Sequence, residues 1–421
     1  MTDARAQAAI ETVIRLESAR LIAGLAHYTG DIGLAEDLAQ DAVVAALEQW
    51  PAEGVPRNPG AWLTTVARRR AIDFSRRSSD LSRKYAELGR GLAAEGGDAM
   101  TPDFDRAFSD DIDDDVLRLI FTACHPVLSV PARVALTLRL LGGLSTAEIA
   151  RAYLVPEPTI AQRIVRAKKT LAQAEVPFEV PEADQRAPRL ASVLEVIYLI
   201  FNEGYAATAG DDWMRPALCA EAVRLGRVLA QLAPAEPEVH GLVALLEIQA
   251  SRIPARTDSR GGPVLLADQD RSRWDRLLIN RGQAALETAL GLGGERGPYT
   301  LQASIAACHA RAFRVEETDW AAIVALYGLL AEVMPSPVVE LNRAVAISIA
   351  YGPQAALDLV DQLTAEPSLR GYHLLPSVRG DLLRKLGRER EARAEFARAA
   401  TLTSNERERQ LSADRARGLG E

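Results

Sequence analysis

The chain predicts an all-α fold, and three observations carry that reading. It is rich in Ala, Leu and Arg, with aromatic residues at only 5%, a composition that favours helices. No stretch alternates apolar and polar residues between turn signals, as half-buried strands do. Apolar residues instead recur at helical spacing in segments bounded by capping residues, Pro and Gly. At 421 residues the chain is long enough for more than one domain with its own core. The net charge of −8 argues against a protein that coats nucleic acid indiscriminately, so any such contact must come from local basic faces. Met1-Thr2-Asp3-Ala4 lacks the start of a signal peptide, and the apolar run from Leu190 to Phe201 is too short to span a bilayer and contains Glu195. Cys124, Cys219 and Cys308 are scattered singly, which suggests neither a disulfide framework nor a zinc site. The expectation is a soluble, cytoplasmic protein with no membrane partner, no metal and no cofactor.

Residues 1–80 read as the first domain. Leu34 to Trp50 is a helix with Asp37, Gln40, Asp41 and Glu48 along one side and Leu34, Leu38 and Ala42 along another. A solvated acidic face explains it equally well. After Pro51 a second helix begins, with Asn58 as its cap and Pro59 in its first turn. Trp62, Leu63, Val66, Ala67, Ala71 and Phe74 form its apolar side. Arg68, Arg69, Arg70, Arg76 and Arg77 lie within three turns and concentrate positive charge suited to phosphates. Residues 81–115 then open basic and turn Gly-rich and acidic, from Glu95 through Asp103 to Asp115, against Arg106 alone in the acidic part. Like-charge repulsion and low apolar content predict a flexible linker.

A second domain spans 116–175. Two leading helices, Val116 to Cys124 and Pro131 to Leu141, precede a helix-turn-helix. Ser145 with Glu148 forms a capping box, and Val155-Pro156-Glu157-Pro158 breaks one helix and starts the next. In that next helix Ile160, Ile164, Ala167 and Leu171 make one apolar stripe, while Thr159, Gln162, Arg163, Arg166, Lys168 and Lys169 lie elsewhere. A buried stripe backed by Gln, Arg and Lys is the chemistry of a recognition helix. Its length, about 20 Å, suits a major groove. An ordinary solvated helical hairpin is the competing reading.

Taken together, EDLAQD, then NPGAWLTTVARRRAIDFSRR, a linker, and LRLLGGLSTAEIARAYLVPEPTIAQRIVRAKKTL resemble a bacterial RNA polymerase sigma factor of the extracytoplasmic-function type. Ile10 to Arg77 is similar to that family's region 2, and Val116 to Glu175 to its region 4. The resemblance implies that Asp37, Gln40 and Asp41 dock on the clamp helices of the core RNA polymerase β′ subunit. It implies that Trp62, Arg69, Arg70, Arg76 and Arg77 face the minus-ten element of promoter DNA. It likewise assigns Thr159, Gln162, Arg163, Arg166, Lys168 and Lys169 to the minus-thirty-five element. Arg69 stands where many members carry Asn, which implies a different reading of the minus-ten bases. Val43 stands where many carry an aromatic, which implies altered packing of the docking helix.

More than half of the chain follows. Residues 189–295 read as a helical extension, and 296–421 as a tetratricopeptide-like region, joined to the second domain by a stiff Pro-rich stretch from Val176 to Pro188. Gly352 and Gly387 are spaced by about one such unit, ~34 residues. Gly380, Ala392, Phe396 and Ala399 fall at small and aromatic packing positions. LIFNEGYAA, LLADQDRSRWDR and SPVVELNRAVA resemble the group of these sigma factors that carries a long C-terminal helical extension. Asp268, Asp270, Arg271, Arg273, Trp274, Asp275 and Arg276 form a dense polar knot, read as an inter-helix salt-bridge network. No Gly-rich phosphate loop or nucleophile elbow is present, so no catalytic residue is expected. The function expected is promoter-directed transcription initiation, controlled by the chain's own extension through an intramolecular or protein contact. The alternatives are a helical-repeat scaffold and a conventional helix-turn-helix regulator that binds DNA without polymerase.

Overall fold

The computed structural model describes residues 17–88, 112–153, 155–207, 213–258 and 262–418. Every regular element among them is helical, and the extended pairing they contain is an isolated bridge between Thr257 and Pro263. The chain divides into two compact units, Met1–Val196 and Ile197–Glu421. None of the described helices is long and apolar enough to cross a membrane.

In the first unit α1 (17–29) turns at Gly30, whose φ of +67° suits Gly, into α2 (Ile32–Glu53). Asp31 caps α2 by accepting from the Gly33 and Leu34 amides at 2.6 and 3.2 Å. Asn58 caps α3 (Pro59–Leu88) as the sequence predicts, accepting from the Ala61 amide at 3.1 Å. Leu63, Ala67 and Ala71 of α3 are buried, as are Ala35, Leu38, Ala39, Ala42 and Trp50 of α2. Phe74, expected on the apolar side, is instead 49% exposed. Helix α3 also runs into the stretch expected to be a linker, because no Gly or Pro interrupts it before Gly89. The tether itself falls mostly on 89–111, outside the described residues.

The next four helices are α4 (Ile112–Ala123), α5 (Val130–Leu140), α6 (Thr146–Tyr153) and α7 (Glu157–Gln173). Helix α4 starts inside the acidic run, where the helix dipole favours carboxylates in a first turn. The capping box forms: the Ser145 amide donates to Glu148 Oε2 at 2.7 Å, and the Glu148 amide to Ser145 Oγ at 3.1 Å. Ile160, Ile164, Ala167 and Leu171 are the buried residues of α7, the stripe read from the sequence.

The stiff join expected up to Pro188 is shorter. Helix α8 (Ala183–Tyr205) begins five residues earlier and contains Pro188, near enough to its start that one backbone bond is lost. Its first half packs on α4 and α5. Arg189 donates to the Phe121 carbonyl at 3.0 Å, Ser192 to that of Cys124 at 2.6 Å, and Arg133 pairs with Glu195 at 3.1 Å. The Cys124 thiol lies 3.3 Å from Thr137 Oγ1, and burial pushes its pKa up to about 11. Burial, with Arg189, brings His125 down to about 4.

The second unit continues with α9 (Pro216–Leu232), α10 (Pro237–Ala250), α11 (Arg276–Gly291), α12 (Pro298–Arg311) and α13 (Trp320–Val333). It ends with α14 (Pro337–Ala350), α15 (Pro353–Leu363), α16 (Leu374–Lys385), α17 (Glu389–Leu402) and α18 (Glu406–Arg417). Helix α10 is buried on most of its surface and packed by α9, α11 and α12. From α12 onward each helix packs on the next, as in stacked helical arrays. The Phe396 ring lies over Gly380, with Ala392, Phe396 and Ala399 fully buried. The last helix closes the unit. Asn405, fully buried, caps α18 and donates to the Ala207 carbonyl at 3.1 Å.

The polar knot is not a salt-bridge network. Asp270 caps a 3₁₀ turn by accepting from the Ser272 amide, and Asp275 caps α11. Arg271 donates to the His309 and Ala312 carbonyls, both at 2.9 Å. Arg276 lies 4.8 Å from the Phe313 ring centroid.

Two helical glycines test this packing in opposite directions. A Cβ on Gly241 would stand 2.8 Å from the Thr300 backbone nitrogen, whereas one on Gly328 would meet nothing within 4 Å. Gly328→Ala is therefore expected to stabilise by about 0.5–1 kcal/mol through helix propensity. Gly241→Ala is expected to destabilise by about 1–3 kcal/mol despite the same propensity gain. Thermal melts of the two variants compare them directly.

Candidate nucleic-acid interface

Helix α7 buries its stripe and so turns the rest of its circumference outward. Thr159, Gln162, Arg166 and Lys169 are exposed, and Arg163 is half-buried. Gln162 and Arg163 sit in the first half of the helix, where base edges are ordinarily reached, and Lys169 sits near its end. Lys168, grouped with them from the sequence, is engaged elsewhere: its ammonium pairs with Glu36 of α2. Arg139 of α5 holds the other oxygen of that carboxylate, Nε to Oε1, at 2.6 Å, and also donates to the Leu144 carbonyl at 3.2 Å. Glu36 is 5% exposed.

A second acid joins the same two parts of the unit. Asp115, read as one more charge of the linker, is fully buried, with its Oδ1 2.7 Å from His27 Nδ1 on α1 and bonded to Arg118. Buried carboxylates are tolerated only when paired, and both of these are paired across a long stretch of sequence. Neither was singled out from the sequence. The available signal was that Glu36 falls among Ala35, Leu38 and Ala39, on the apolar side of its helix.

On α2, Asp37, Gln40 and Asp41 are exposed. Asp41 pairs with Arg70 of α3 at 2.8 Å, so one residue assigned to protein docking and one assigned to DNA hold each other. The pair is largely solvated, worth about 0–1 kcal/mol. Gln40 borders a recess of about 320 Å³ that Arg139, Ser145 and Glu148 also line. Trp62 packs edge-on against the buried Trp50, with centroids 5.3 Å apart. Arg69 and Arg76 are exposed. The side chain of Arg77 lies outside the described residues. α3 thus presents basic side chains from one face and anchors its first turn through an aromatic pair.

Comparison with known proteins agrees with this layout. Residues 14–80 match sigma-70 region 2, residues 118–171 match sigma-70 region 4, and residues 189–290 match a family of unknown function, DUF6596. The chain therefore carries two sigma-70 regions, which support a role in promoter-directed transcription, followed by a DUF6596 extension. It is 46% identical, over 93% of its own length and 92% of the relative's, to an uncharacterized protein of Rhizobium meliloti (strain 1021). No solved structure matches it.

Glu36→Gln removes the charge that Arg139 and Lys168 share. The expected cost is about 3–5 kcal/mol, as for breaking a buried ion pair, seen as faster hydrogen exchange in α2 and α5. Arg70→Ala, at the solvated pair, is expected to leave exchange in those helices unchanged.

Proposed function

We propose that the chain is a sigma factor of the extracytoplasmic-function group whose activity is set by its own C-terminal extension. In this reading the exposed side of α2, with Asp37, Gln40 and Asp41, docks on the β′ clamp helices of core RNA polymerase. Trp62, Arg69, Arg70, Arg76 and Arg77 serve the minus-ten element. Thr159, Gln162, Arg163, Arg166 and Lys169 serve the minus-thirty-five element, joined by Lys168 once it leaves Glu36. No covalent chemistry is assigned to the chain, which acts by binding and positioning. The observation that carries the reading is the succession, in one chain, of both sigma regions with an outward Gln and Arg face on the second helix of the helix-turn-helix. Control by the extension is favoured by continuity: α8 packs on region 4 and leads directly into the second unit.

Run-off transcription with core polymerase tests the whole reading. A chain ending after Tyr205 keeps the α8 residues that pack on region 4, so it separates loss of the second unit from damage to the DNA-reading helices. An altered rate from the same promoter supports control by the extension, and an unchanged rate removes it. If the protein binds promoter DNA specifically but never co-purifies with core polymerase, the conventional-regulator alternative takes over.

Docking is best tested at Asp37, because reversing Asp41 also frees Arg70. Asp37→Lys with Gln40→Ala is expected to weaken core-enzyme binding at least tenfold, the loss of about 1.4 kcal/mol or more, with the melting temperature unchanged. Pull-down titration against core enzyme measures it.

Promoter reading divides along α7. Arg163→Ala is expected to change base preference, with about 1–3 kcal/mol lost on the preferred sequence. Lys169→Ala is expected to weaken all promoters alike and to flatten the salt dependence. Holoenzyme binding to promoter variants at two salt concentrations tells them apart, and equal effects on every variant would dismiss the division.

A further inference from the structure

The second unit holds two adjoining, partly open cavities of about 410 and 330 Å³, within the range that holds small-molecule ligands. Both are lined by Leu266, His309, Tyr327 and Asn342. Arg271 lines the larger and Arg252 the smaller. Arg271 and Arg252 are 5% and 8% exposed as residues, and among the described residues neither forms an ion pair with a carboxylate. Arg252 donates to Tyr205 Oη at 2.6 Å and to Gln249 Oε1. Arg271 donates to two main-chain carbonyls and to Thr318 Oγ1. In each the Nε is buried without a hydrogen-bond partner, as is Nδ1 of His309, which is 7% exposed.

The electrostatics agree with that accounting. His309 is brought down to about 3 by burial and by the positive field of Arg252 and Arg271. Glu316 and Glu317 act on Arg271 only from a distance beyond ion pairing. Asp381, on the wall of the larger cavity, is shared by Arg384, Lys385 and Arg415 at 2.9, 3.1 and 3.0 Å, so it has no charge to spare. Burying two cations beside empty volume without an anion is strongly unfavourable. An anion brought in from outside supplies the missing partner, and charge-assisted bonds to guanidinium are among the strongest available.

We propose that this chamber binds a small organic anion, a carboxylate or phosphate monoester on an apolar or aromatic body. Arg252, Arg271 and His309 take the headgroup. Leu266, Ile323 and Tyr327 cover the body. This assignment is independent of the transcriptional reading, since binding is measured on the protein alone.

The test is ligand-observed saturation-transfer NMR on the full-length chain with benzoate, phenyl phosphate and the neutral isostere benzamide. At least one of the two anions is expected to saturate, with a Kd of ~1 mM or tighter, while benzamide does not. The anion that binds better identifies the headgroup. Arg252→Gln is expected to weaken binding about tenfold or more. Asn342→Trp, at an exposed position that lines both cavities, is expected to block it by size with the helical circular dichroism unchanged. It decides the matter if the buried Arg252 variant does not fold. Failure of both anions to saturate, equal binding of benzamide, or binding that survives Asn342→Trp overturns the proposal.

Discussion

The Glu36 carboxylate ties the first unit together. It sits in α2, among alanines and leucines, where an isolated charge is untenable, and it is made tenable by Arg139 from α5 and Lys168 from α7. One buried acid thereby makes the position of region 4 depend on that of region 2. The same pairing subtracts one cation from the DNA-reading helix and places the recess beside Gln40 next to the turn that starts α6. The surfaces proposed for docking and for promoter reading are thus linked, along with the cohesion of the unit, through a single side chain. In this arrangement any partner that draws Lys168 to phosphate must leave Glu36 with Arg139 alone, a cost set by the burial of the carboxylate.

Local signals carried most of the fold. The Ser145 and Glu148 box, the Asn58 cap and the four-residue stripe of α7 each follow from residues within a turn or two of one another. What escaped was whatever depends on a partner far along the chain. Asp115 looked like the last of a row of solvated acids, and only His27, on a helix remote in sequence, makes it a buried one. Phe74 matched the apolar period of α3 but is 49% exposed, since periodicity marks a face and not which of its positions a neighbour covers. The polar knot was misread for a related reason. Arg271 bonds to main-chain carbonyls, and a carbonyl carries no identity that a sequence pattern can display. For the surfaces assigned to DNA and polymerase, the chemistry was visible in the residues, and the structure adds which side chains already have partners.

Both units bury acids that bases come to, Glu36 and Asp115 in the first and Glu247, with Arg227, in the second. In the second, Arg252 and Arg271 are buried among aromatic rings and carbonyls, with Arg252 5.7 Å from the Tyr205 centroid and Arg271 5.2 Å from that of Trp274. Aromatic faces offset part of a cation's desolvation, but they do not supply the full charge of a carboxylate. The knot around Arg271 is built from caps at Asp270 and Asp275, and bonds to the His309 and Ala312 carbonyls hold the guanidinium at the cavity wall.

The bond from Asn405 to the Ala207 carbonyl has a consequence for synthesis. Helices that stack each on the next can settle one after another as the chain leaves the ribosome, since every new helix finds its neighbour already in place. The last of them, α18, also bonds to residues near the beginning of the second unit. That bond spans 198 residues of sequence, so it forms only once Asn405 has been translated.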